Sequence, residues 1–99
     1  MNMEQHTLIR DRFVDDAAPE LESTYMIALP VKFTGKTWIY NICSKGNGNI
    51  LGVIKWHGPW RQYWFEPERD TGFNYSCGMD IFGFVKALMD ERSYKRRQM

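Results

Sequence analysis

Residues 78–93 carry the pattern that constrains this chain most, an apolar stripe at helical spacing. Its members recur at i, i+3, i+4 and i+7, with two neighbours that widen the stripe: Ile81, Phe84, Val85, Leu88, Phe82 and Met89. A helix with such a stripe is stable only when another element covers it, and the rest of the chain offers strands. We therefore expect an α+β domain in which one C-terminal amphipathic helix packs on one face of a sheet.

Four β-prone segments precede the predicted helix, and turn signals separate them. They are rich in β-branched and aromatic residues and lie at 24–33, 37–45, 50–57 and 60–65. The Gly46–Asn49 loop tolerates positive φ and is typical of a hairpin, while Pro30 lacks an N–H donor and favours an edge strand or a bulge. The prediction is an antiparallel meander of three to four strands.

The length of 99 residues is that of one domain and is too short for two independent cores. Six Phe, five Tyr and four Trp residues are a heavy aromatic load, and each buried ring removes roughly 150 to 250 Å² from water. The expected division is an acidic, weakly ordered N-terminal arm at 1–23, a single α+β domain at 24–95 and a basic tail at 96–99.

The composition and the cysteines are typical of a soluble protein in a reducing compartment. No apolar run approaches the ~18 residues that cross a bilayer, and the sequence shows no secretory leader. Cys43 and Cys77 do not form a CxxC pair, so two free thiols are favoured over one disulfide between them. We therefore expect a cytoplasmic protein without membrane contact.

The densest feature of the sequence is an aromatic block at 56–65, which holds six rings in ten residues when His57 is counted. Because alternate side chains of a strand point to opposite faces, one core cannot hold all of these rings. Either some of them form an exposed binding surface, or the N-terminal arm and the helix cover both faces of the sheet. The predicted partner-binding residues are of the types that dominate interface energetics, Trp56, Trp60, Arg61, Tyr63 and Trp64.

A second hypothesis uses the same rings to stack the bases of a single-stranded nucleic acid. The cations that would contact the backbone are Lys55, Arg61, Lys95, Arg96 and Arg97. A net charge of +1 argues against a dedicated polyanion binder, and a solvated helix end explains the basic tail equally well. A homodimer formed through the Pro30 edge or the aromatic face is a third hypothesis.

The sequence predicts no catalytic residue, no metal ligand and no cofactor, and hence no enzyme. The residues of zinc-binding type lack the close spacing of structural zinc sites: His6, Cys43, His57 and Cys77. A Cys/His nucleophile pair would also need a third orienting group that the pattern does not supply. The acidic cluster Glu66, Glu68 and Asp70 is interleaved with Pro67 and Arg69, which indicates a solvated loop with a local ion pair.

Residues 56–92 resemble the shared segment of a family of small bacteriophage and prophage proteins. Its pattern is W-x-G-x-W-R-x-Y-x-F-x-P, then T-x-F, then a Cys and an acidic-led amphipathic helix. The matching positions are Trp56, Gly58, Trp60, Arg61, Tyr63, Phe65, Pro67, Thr71, Phe73, Cys77, Asp80 and Ile81. The resemblance covers somewhat over a third of the chain.

This resemblance implies a phage accessory protein that acts in the cytoplasm of a bacterial host, and it implies no enzymatic activity. Small phage proteins of this kind often act by stoichiometric binding, including the inhibition of host defence. The leading expectation is therefore a non-enzymatic protein that binds a host or phage protein through the exposed side of its aromatic sheet. The alternative is a single-stranded nucleic-acid-binding protein that uses the same rings and the basic tail.

Overall fold

A computed structural model describes residues 18 and 21–98 of the chain. In chain order its elements are strands β1 (Leu21–Glu22), β2 (Met26–Phe33), β3 (Trp38–Ser44) and β4 (Ile50–His57), a 3-10 helix (Gly58–Trp60), strand β5 (Gln62–Pro67) and helix α1 (Tyr75–Gln98). Consecutive strands pair antiparallel in one sheet of order β1-β2-β3-β4-β5. The α+β class and the antiparallel meander are confirmed, but the sheet has five strands rather than the predicted three to four.

The additional strand, β1, lies within the segment predicted to be a weakly ordered arm. Leu21 pairs with Ala28 and Glu22 pairs with Ile27, so that β1 contributes two residues to the sheet. A tight turn joins β1 to β2, in which Ser23 N–H donates to the carbonyl of Met26 at 2.8 Å. The other residues of the predicted arm, 1–17, 19 and 20, lie outside the described part of the chain.

One face of the sheet, here called the helix face, packs against α1. The register places residues of neighbouring strands side by side on this face, for example Ala28 beside Ile42 and Ile54 beside Phe65. The buried cluster between sheet and helix consists of Met26, Ala28, Tyr40, Ile42, Ile54, Tyr63, Ile81, Phe84 and Leu88. The predicted helical stripe is therefore covered by one side of the meander, as the two-layer arrangement requires.

The opposite side of the sheet, here called the open face, carries the alternate residues of the same strands. Its side chains come from β2 to β5 and are Ile27, Leu29, Val31, Lys32, Ile39, Asn41, Cys43, Ile50, Val53, Lys55, His57, Gln62, Trp64 and Glu66. Among the described residues, α1 is the one long helix and it lies on the other side. No described element therefore covers the open face.

Pro30 lies at an irregularity of β2, as its missing donor predicts. The register between β2 and β3 shifts between Pro30 and Lys32, and β1 pairs with Ile27 and Ala28 alone, short of the proline. The predicted hairpin between β3 and β4 is also present. Gly48 has φ 76°, and the N–H of Asn49 donates to Oδ1 of Asn47 at 2.9 Å.

Helix α1 is longer at both ends than the predicted range of 78–93. Oδ1 of Asn74 accepts a hydrogen bond from Cys77 N–H at 2.8 Å, so Asn74 caps the first turn. At the other end the helix runs to Gln98, into the predicted basic tail, and Lys95 lies 3.8 Å from Glu91 one turn earlier. Within the part of the chain that the structure describes, no helix has the length and hydropathy needed to cross a bilayer.

The contact between Gly52 and β5 gives a testable prediction about packing. A Cβ atom at Gly52 would lie 2.5 Å from the Phe65 ring and 2.6 Å from the carbonyl oxygen of Glu66. Gly52→Ala should therefore lower the free energy of unfolding by roughly 1 to 3 kcal/mol, measured by urea denaturation. Gly83→Ala, on the exposed side of α1 with no atom nearby, should raise it by roughly 0.5 to 1 kcal/mol. Equal effects of the two changes would contradict the described packing.

Candidate functional site

A short turn at the end of the β4–β5 hairpin brings one tryptophan into solvent. Gly58–Trp60 forms a single turn of 3-10 helix, and the N–H of Arg61 closes it by donating to the carbonyl of Gly58 at 3.0 Å. Arg61 adopts φ 57°, in the left-handed region, and this reverses the chain into β5. As a result Trp60 is 64% exposed and lies beyond the ends of the strands.

Three rings meet beside this turn, and together with Arg61 they are here called the aromatic tip: His57, Trp60 and Trp64. His57 and Trp64, diagonal neighbours on adjacent strands, stack with 3.6 Å between ring centroids and an interplanar angle of 15°. Trp60 stands nearly perpendicular to both, at 5.1 Å from His57 and 5.6 Å from Trp64. Stacked and edge-to-face contacts of this kind hold each ring in one orientation while Trp60 stays accessible.

The charges next to the aromatic tip are largely neutralised. Nε1 of Trp64 donates to Oε2 of Glu66 at 2.8 Å, and Nζ of Lys55 lies 3.4 Å from the same oxygen. Of the acidic cluster noted in the sequence, Glu66 lies in β5 and its hydrogen bond orients the Trp64 ring. Glu68 and Asp70 are exposed in the loop that follows β5. Lys55, which belongs to the predicted nucleic-acid-binding set, therefore has its charge balanced within the protomer.

The five predicted partner-binding residues are divided between the aromatic tip and the helix face. Trp60, Arg61 and Trp64 lie in the aromatic tip. Trp56 and Tyr63 lie on the helix face, where their rings make an edge-to-face contact at 5.3 Å and Tyr63 is buried. The structure therefore brings together three of the five, and the ring that the sequence analysis had not assigned to the site is His57.

Helix α1 holds Trp56 and Tyr63 in place through Arg92, which the sequence did not indicate for this role, and through Met89, a member of the predicted stripe. The guanidinium carbon of Arg92 lies 4.0 Å from the centre of the Trp56 ring, a cation–π contact. The N–H of Tyr63 donates to Sδ of Met89 at 3.3 Å. Because β5 is an edge strand, this N–H points away from the sheet, and the sulfur gives it an acceptor. Arg92 follows Leu88 by four residues and therefore lies on the same side of the helix as the apolar stripe. This spacing was the signal in the sequence that Arg92 faces the sheet.

The other members of the predicted nucleic-acid-binding set lie on different elements from Lys55. Lys95 and Arg96 belong to the last turns of α1, with Arg96 exposed, and the side chain of Arg97 lies outside the described part of the chain. Arg61 is exposed in the aromatic tip. The predicted cations therefore come from three elements, namely β4, the turn before β5 and the end of α1. Lys95 and Arg96 follow Arg92, which contacts Trp56 near the end of the hairpin.

The residues considered for metal or thiol chemistry are also apart. Cys43 lies on the open face beside Ile27, whereas Cys77 lies on α1 and packs towards the helix face, so one protomer cannot link them by a disulfide. His57 is stacked in the aromatic tip, and His6 lies outside the described residues. Within the described residues, no three His, Cys, Asp or Glu side chains gather as a metal ion would require.

A relative of this chain, with its meander, helix and exposed aromatic tip, is known from a bacteriophage. No protein-family model matches the chain, and no solved structure matches it. The chain is 33% identical over 75 residues to the uncharacterised 9.3 kDa protein of Acholeplasma phage L2, an alignment that covers 74% of this chain and 96% of the phage protein. The chain belongs to the same family of small phage proteins, which confirms the expectation of a phage protein family.

Burial raises the pKa of two tyrosine hydroxyls on the helix face. For Tyr40 burial is the main cause, and the negative charges of Tyr63 and Glu91 add to it. For Tyr63 burial is again the main cause, Arg92 opposes it and Glu91 adds to it. The folded chain therefore holds both hydroxyl protons more tightly than the unfolded chain, in which a tyrosine has a pKa of about 10.

These shifts predict a loss of stability in alkaline solution. The contribution of each hydroxyl to the free energy of unfolding is fully present below about pH 10. It disappears as the pH rises through the raised pKa of the folded state. The free energy of unfolding, measured in urea from about pH 8 to about pH 11, should fall above pH 10, and Tyr40→Phe should make this fall shallower. Tyr25→Phe, at an exposed position, should leave the slope unchanged. Identical slopes for both variants would contradict the assignment.

Proposed function

We propose that this chain is a phage-encoded, non-enzymatic binding protein that captures a host or phage protein through its aromatic tip. The observation that carries the proposal is the exposure of Trp60 at the end of the hairpin, next to Arg61 and nearly perpendicular to the Trp64 ring. Trp and Arg are the residue types most enriched among those that dominate binding energy at protein interfaces. A large exposed ring next to a guanidinium is therefore suited to anchor a partner.

The rigidity of the aromatic tip supports this proposal. Trp60 is already oriented by His57 and Trp64, and the backbone of Arg61 is fixed by its hydrogen bond to Gly58. Side chains that are ordered before binding lose less conformational entropy when the complex forms, which strengthens affinity for a given contact area. The tip thus presents a preformed anchor.

The distribution of charge favours a protein partner over a nucleic acid. A single-stranded nucleic acid needs a continuous basic track beside the stacking rings. Lys55 is balanced by Glu66, and Lys95 and Arg96 belong to the end of α1 rather than to the hairpin. Arg61 next to Trp60 is the observation that keeps single-stranded nucleic acid as the alternative, because one cation and one exposed ring fit a nucleotide.

Membership of a phage protein family supports a place of action in the cytoplasm of a bacterial host. A small protein without catalytic machinery can act there by occupying the surface of another protein, and inhibition of a host defence protein is one such action. The proposal therefore concerns stoichiometric capture, whose strength depends on the contact and not on turnover.

Capture from a lysate of infected host cells tests the role of the aromatic tip. Trp60→Ala and Arg61→Ala should each weaken capture of the partner by about 30-fold or more, because truncation of a central anchor costs about 2 kcal/mol or more. Phe82→Ala is the matched control, since Phe82 is 63% exposed on the outer side of α1, and it should retain capture.

Thermal denaturation of the same variants completes this test. Trp60→Ala should unfold near the wild-type temperature because its ring lies mostly in water. Trp56→Ala should cost roughly 3 to 5 kcal/mol because its ring packs between Tyr63 and Arg92. Undiminished capture by Trp60→Ala would remove the basis of the proposal.

Titration with single-stranded oligonucleotides at two salt concentrations tests the alternative. Four tryptophans report through fluorescence, and Trp60 and Trp64 should be quenched if bases stack on the aromatic tip. Protein capture as proposed predicts no quenching at low salt. Strong quenching that weakens with added salt and disappears in Trp60→Ala would favour the nucleic-acid alternative instead.

A further inference from the structure

The open face is apolar well away from the aromatic tip. Leu29 on β2 is 42% exposed and Ile50 on β4 is 47% exposed, and Val31 in the bulge of β2 is exposed as well. On β3, Asn41 and Cys43 lie between Leu29 and Ile50. Ile39 and Val53 adjoin them and are half-buried. We infer that a second copy of this chain packs on the open face, sheet against sheet, to form a homodimer.

The size of the open face matches what a stable dimer needs. From β2 to β5 it spans three strand spacings, about 14 Å, and its strands of six to eight residues are about 20 to 26 Å long. With side chains it offers on the order of 600 to 800 Å² per protomer, close to the ~800 Å² per partner of a standard interface.

The charges of the open face favour a second copy over a charged partner. Towards its β5 edge, Nζ of Lys55 lies 3.4 Å from Oε2 of Glu66, so this pair carries no net charge to attract an acidic or a basic surface. In a two-fold contact the same patch meets itself, and a neutral patch does so without repulsion between like charges. Lys32 pairs with Ile39 at the bulge, on the rim, where its long side chain reaches water.

Two sheets can meet in this way because nothing in the described part of the chain crosses the open face. Twisted sheets stack about 10 Å apart with their strands within about 30° of each other, and their side chains interdigitate. Each protomer would keep α1 on its outer side, which gives four layers in the order helix, sheet, sheet, helix. Cys43, Ile27 and Val53 would then lie in a dry interior.

The partner in this contact is a second copy of the chain, and the contact is centred on Leu29 and Ile50 rather than on the aromatic tip. His57 and Trp64 lie at the end of the open face that borders the tip. The Gly58–Trp60 turn lies past the ends of β4 and β5, so Trp60 stays accessible at the rim of such a dimer. The dimer would display two aromatic tips, and a partner with two sites would be held more strongly than by one tip alone.

Sedimentation equilibrium of the full chain tests the dimer. Between about 1 and about 100 μM the mass should approach twice the 11.7 kDa of one chain. Leu29→Glu and Ile50→Glu should each weaken dimerisation by at least about tenfold, since each buries a charge in the contact. Both side chains are exposed in the protomer, so circular dichroism should show that both variants fold.

Phe82→Glu is the control for this experiment, because it places the same charge on the exposed side of α1 and should leave the dimer intact. A mass of one chain over the whole concentration range would overturn the inference. In that case the open face is covered by another segment of the chain or is in contact with water. Dimers that persist in Leu29→Glu and dissociate in Phe82→Glu would also overturn it and would place the contact on the helix. Trp60→Ala should keep the dimer mass, so loss of the dimer and loss of partner capture are separable outcomes.

Discussion

Burial of the α1 stripe against the helix face is the interaction on which the other features depend. Ile81, Phe84 and Leu88 exclude water only if one side of the meander is committed to them, and Tyr40 and Ile54 supply that side. Once this side is fixed, the period of two along each strand decides the position of every other residue in the sheet. The open face is therefore a consequence of where the helix lies.

The same rule explains why the aromatic block divides as it does. Trp56 and Tyr63 point to the helix face, where Trp56 contacts Arg92 of α1. Trp64 and His57 point to the open face and stack on each other beside Trp60. A 3-10 turn between the strands releases Trp60 from either face. One half of the block stabilises the fold, and the other half is presented to solvent with its rings already oriented.

Much of this architecture could be predicted from local pattern, because helical and strand periods are properties of neighbouring residues. The meander, the Gly46–Asn49 hairpin and the helix all follow from such patterns. Strand β1 could not be found, since two residues have no period, and the helix end at Gln98 lies past the last apolar residue of the stripe. Alternation predicted that the rings must divide, but long-range packing decides which of them the helix covers.

The left-handed backbone at Arg61 bears on what this position is for. Glycine adopts such φ values freely, whereas a residue with a Cβ atom is strained there by roughly 1 kcal/mol. Folding alone would thus be served better by a residue without any side chain. Arg61 instead places a guanidinium on the turn between β4 and β5, beside Trp60, at the site of the proposed partner contact.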